Sequence, residues 1–164
     1  MSALATERRE RLHRRVRFIV AFTITYNVIE AIVAITAGML ASSAALIGFG
    51  LDSVVEVLSA VAIASQFTRK DPERWEKATV RAIGLAFFAL AAYVSIDAIL
   101  SLISQEGPEH SPLGIGITAL SLLVMPLLAS FEIRTGRELG SKSVLADARQ
   151  LMLCVYLSGA VFIG

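Results

Sequence analysis

Five apolar runs of about twenty residues each, at 16–37, 44–67, 82–103, 113–133 and 144–164, leave this 164-residue chain little choice of environment. One ordinary soluble core cannot bury so many, whereas each run matches the ~20 residues a helix needs to cross a ~30 Å hydrocarbon layer. Composition agrees: 55% of residues are hydrophobic, 18% are charged, and mean hydropathy is +0.69. Inside lipid every backbone amide needs an internal partner, and these runs lack the two-residue alternation of barrel strands. The expectation is therefore an all-α, polytopic transmembrane helical bundle, with a basic cytoplasmic segment at 1–15 and a membrane domain at 16–164. The first run does not read as a cleavable signal, because it is too long, holds Asn27 and Glu30, and is followed at once by a second run.

The positions of the 15 Lys and Arg set the orientation. Six (Arg8, Arg9, Arg11, Arg14, Arg15, Arg17) stand at the start of span one, five (Arg69, Lys70, Arg74, Lys77, Arg81) between spans two and three, and Arg134, Arg137 and Lys142 between four and five. The connections at 38–43 and 104–112 hold none, so the positive-inside rule places the N-terminus in the cytoplasm. A net charge of +1 with 7% aromatic residues gives no footprint for nucleic acid. The single cysteine, Cys154, can form neither an internal disulfide nor a CxxC motif. No nucleophile and base pair, phosphate loop or HExxH helix argues for an enzyme.

Ionisable residues inside spans are costly and mark function or a structural partner. Glu30, Asp52, Glu56 and Asp97 are the carboxylates that qualify. Asp52 and Glu56, at i and i+4, share a helix face and can share a cation; without one, two neighbouring carboxylates in a low dielectric repel, so one should hold a proton. A polar pair that only glues helices together is the alternative. Span five offers Asp147, Gln150 and Cys154 on one face. At ~1.5 Å per residue, Asp52 and Glu56 lie ~12 and ~18 Å from the outer end of span two, and Gln150 and Cys154 ~9 and ~15 Å from the inner end of span five. The two polar faces should therefore meet near the midplane.

Two segments carry a resemblance. Residues 43–56, SAALIGFGLDSVVE, and 146–154, ADARQLMLC, are similar to the second-helix DxxxD pattern and the fifth-helix ADxxHxxxD pattern of the cation diffusion facilitator (cation efflux) family, and the likeness runs over about 16–164. It implies six helices, of which five are present, so the chain reads as truncated before the sixth. It also implies a homodimer in the cell (inner) membrane that exports zinc or a similar divalent metal in exchange for protons. Carried over position by position, Asp52 and Glu56 match the two acids, Gln150 stands where the family has His, and Cys154 where it has the last Asp. This departure resembles a bacterial subgroup related to vertebrate transmembrane zinc-binding proteins.

The expected metal ligands are thus Asp52, Glu56, Gln150 and Cys154. The cation is the substrate: Zn²⁺ first, with Cd²⁺, Mn²⁺, Fe²⁺ or Co²⁺ as further candidates. Glu30, Asp147 and Asp97 read as accessory ligands or proton relays; for Glu30 an interhelical hydrogen bond, and for Asp97 snorkelling to the interface, are the competing readings. The expected partners are metal ions, protons, the lipid bilayer and a second copy. The rival function is a non-transporting membrane metal-binding or scaffold protein, or a degenerate paralogue. Gly84, with Ala82 and Ala86, suggests a close helix contact, and the basic stretch at 6–17 a contact with anionic lipid.

Overall fold

A computed structural model of the chain describes residues 3–104 and 111–163. Most of the connection expected at 104–112 falls outside them. Five helices follow in order: α1 (Ala3–Leu40), α2 (Ala44–Phe67), α3 (Pro72–Ser104), α4 (Pro112–Leu139) and α5 (Lys142–Ile163). All five are long and apolar enough to span a membrane. Three begin earlier than hydropathy alone suggests. α1 absorbs the basic stretch into one continuous helix, and α3 and α5 start at Pro72 and Lys142. Charged residues propagate a helix as readily as apolar ones, so hydropathy marks the lipid boundary and not the helix end.

Local chemistry sets the turns. Ser43 caps α2, its hydroxyl accepting from the Leu46 amide, and Ser111 caps α4 through the Gly114 amide. α4 ends on Gly140 at φ 67°, in the left-handed region that suits glycine, and the Ser141 amide donates back to Gly136. The Glu76 carboxylate accepts from the Lys142 amide at 2.6 Å and so ties the start of α5 to α3.

α1 packs against α2 and α4, α5 against α4 and α2, and α3 lies outside against α2 and α5. The α1–α2 contact is closest where side chains vanish. A Cβ on Gly38 would sit 2.9 Å from the Ile47 backbone nitrogen, and one on Gly50 3.0 Å from that of Ile35. Gly84 behaves otherwise: a Cβ there meets nothing within 4 Å, because α3 turns that face outward, so the helix contact expected at this glycine is absent among the described residues.

The bundle buries polar stripes among an apolar core and turns large apolar side chains outward. α2 buries Asp52, Ser53, Glu56, Ser59 and Gln66 at helical spacing, while Leu58 and Val61 stay exposed. α1 buries Thr23, Asn27 and Glu30 and exposes Phe18, Ile29 and Ile32. In water this pattern would be upside down; in hydrocarbon it puts each polar group among the few partners available.

Candidate metal centre

Five carboxyl groups lie in the interior: Glu30, Asp52, Glu56, Glu132 and Asp147, each at most 4% exposed. Among the described residues no Lys, Arg or His is buried with them. Buried negative charge without a fixed cationic partner must be neutralised by protons or by a mobile cation.

The central cluster joins three helices. Ligand atoms of Glu30 on α1, Glu56 on α2 and Cys154 on α5 all lie within 4.8 Å of one another. Around a tetrahedral ion with ~2.1 Å bonds, ligand atoms stand ~3.4 Å apart, so small side-chain rotations would close these three around a metal. Asp52, one turn before Glu56 on α2, also adjoins Cys154. Glu30 is held from both sides: the Tyr26 hydroxyl donates to its Oε1 at 3.1 Å and the Ser53 hydroxyl to its Oε2 at 2.7 Å. Other buried polar groups of α2 and α5 are left without such partners. Asp52 Oδ2, both Glu56 carboxylate oxygens and both amide atoms of Gln150 have no hydrogen-bond partner in the protein. Buried polar atoms of a native interior are ordinarily hydrogen-bonded, so these five are exceptions. The carboxyl groups of Glu30, Asp52 and Glu56 beside the Cys154 sulfur are a donor set that suits a divalent cation.

A second pair stands nearer the end of the bundle where the basic residues lie. The Ser59 hydroxyl donates to Asp147 Oδ1, and the Glu132 carboxyl adjoins Asp147. Both acids line a small cavity floored by Ile63 and Val144, and Glu132 Oε2 has no partner. Glu132 falls at the inner edge of the run at 113–133, two residues from Arg134, where hydropathy does not separate a buried acid from an interfacial one. Its signal is the repeat of α4's buried positions at 118, 121, 125, 128, 132 and 135. Asp97 joins neither group and stays half-buried on the peripheral α3.

Residues 20–164 match the family model described as the cation efflux transmembrane domain. The chain belongs to the cation efflux family. It is similar to an uncharacterized transporter of Methanocaldococcus jannaschii, with 27% identity over 136 residues covering 77% of this chain and 48% of that protein. The chain thus spans about half the length of this curated relative. No solved structure matches it. Within this cation efflux domain the two motif segments, on α2 and α5, face each other across the bundle, with Cys154 beside both motif acids.

Proposed function

We propose that this cation efflux domain carries a divalent transition metal, Zn²⁺ first, across the membrane in exchange for protons. Asp52, Glu56, Gln150 and Cys154 are its ligands, and Glu30 is a further carboxylate at the same centre. The observation that carries this reading is the interior itself, five buried carboxyl groups with no buried basic side chain among the described residues. Such a site changes occupant readily, because a proton and a cation neutralise the same oxygens and each displaces the other. Asp147 and Glu132 act as a relay between the centre and the basic end, while Asp97 takes no part. A cytoplasmic N-terminus follows from the Lys and Arg positions. Export, a homodimer, an inner-membrane location and kinship with the bacterial subgroup rest on the motif resemblance.

Calorimetry of the purified chain with Zn²⁺ tests the centre. Binding should weaken as pH falls, because protonated carboxyl groups must give up their protons before the metal can bind. Asp52→Asn should lower affinity by about tenfold or more, ~1.4 kcal/mol, with helicity unchanged. Asp97→Asn should leave affinity alone. Unchanged affinity in Asp52→Asn would move the site elsewhere. Metal binding without pH-dependent flux in vesicles would favour the non-transporting alternative.

A further inference from the structure

A groove of about 990 Å³ runs along the outside of the bundle between α1 and α4, and none of its lining residues belongs to either carboxyl cluster. α1 contributes Arg14, Arg15, Phe18 and Phe22, and α4 contributes Leu127, Phe131 and Arg134. The spacing of three to four residues on each helix makes both walls continuous stripes. The two helices run antiparallel here, so the charged parts coincide at one end and the apolar parts extend away from it. Glu138 is the one carboxylate of the lining, with Oε1 3.8 Å from Arg15 Nη1. Arg14, Arg15 and Arg134 thus outnumber the acid at that end and leave it positive. The apolar part is open: Phe18 is 73% exposed, Leu127 64% and Phe131 61%.

We infer that this groove binds one anionic glycerophospholipid. Its depth matches a lipid: from Arg134 to Val124 the α4 wall runs ~15 Å at ~1.5 Å per residue, which is half of a ~30 Å hydrocarbon layer and so the acyl depth of one leaflet. The chemistry changes along that length as a phospholipid's does. Arginines from two helices line the end where a phosphodiester would sit, their guanidinium groups suited to a phosphate, and aromatic and branched aliphatic side chains line the path of an acyl chain. Neither a soluble anion, which needs no apolar wall, nor a purely apolar helix, which needs no arginine end, fits both halves. A lipid held this way bridges α1 and α4 outside the bundle, independently of what occupies its interior.

Native mass spectrometry of the purified chain in detergent tests the assignment, using phosphatidylglycerol, phosphatidylcholine with the same acyl chains, and inorganic phosphate as probes. The chain should retain one phosphatidylglycerol at least tenfold more strongly than phosphatidylcholine, and inorganic phosphate should not displace it. Arg14→Gln with Arg134→Gln should abolish the preference. Lys77→Gln with Arg81→Gln, basic residues at the same end but on α3, should preserve it. Leu127→Trp fills the apolar part without altering charge and should weaken retention of phosphatidylglycerol at least fivefold; residue 127 faces outward, so the bundle tolerates the change. Equal retention of both lipids, displacement by phosphate, or equal losses in the two charge-reduced variants would overturn the inference. So would a second copy of the chain bound in place of lipid.

Discussion

A thiol only 1% exposed, set between carboxyl groups of α1 and α2, has two roles open to it: soft ligand or small apolar filler. Cys154→Ser separates them, since it nearly keeps the volume and replaces sulfur by a harder oxygen. Ligation predicts that Zn²⁺ and Cd²⁺ lose about tenfold in affinity or more, ~1.4 kcal/mol, while Mn²⁺, which prefers oxygen, changes little. Equal titration curves for all three metals in both proteins would leave Cys154 as packing. Glu30 shows how one residue can serve two readings at once. It makes the interhelical bond to Ser53 that a buried acid on α1 suggests, and the same carboxyl group still lies within 4.8 Å of the ligand atoms of Glu56 and Cys154.

At the scale of elements, the reach of Glu30 into α2's polar face depends on how closely α1 and α2 approach. Two glycines permit that approach, one on each helix: Gly38 faces the Ile47 backbone near the turn, and Gly50 faces the Ile35 backbone deeper in the bundle. A larger side chain at either position must push the helices apart. Gly50→Leu should therefore destabilise the bundle by about 1–3 kcal/mol through overpacking. Gly84→Leu, where an added Cβ meets nothing within 4 Å, should cause no loss of stability. Thermal unfolding in detergent checks both, and equal midpoints for the two variants would refute the close α1–α2 contact.

For the whole molecule, the inverted distribution of polarity and the Lys and Arg positions together make a prediction about orientation. Ser42, in the turn between α1 and α2, and Asp71, between α2 and α3, lie at opposite ends of α2. In a Cys154→Ser background, Ser42→Cys should react with an impermeant thiol reagent in intact cells, and Asp71→Cys only after the membrane is opened. The reverse pattern would invert the topology. In that orientation the Glu132 and Asp147 pair would lie between the cytoplasm and the central cluster, the order the proposed relay requires.

Hydropathy and helical geometry alone determined the five spans, because a lipid-facing helix must be apolar over a length that the bilayer sets. They also brought Asp52 and Glu56 onto one face, and put them at the depth of Cys154, which lies beside both, since rise and turn per residue are constant along a helix. What they left open depends on which helices are neighbours and how each is rotated. Glu30 reaches the centre because two glycines let α1 approach α2, Glu132 meets Asp147 because α4 packs beside α5, and Gly84 faces outward because α3 lies at the edge. Those contacts join residues far apart in sequence. Only tertiary packing decided them, because no local period in the chain records the rotation of one helix against another.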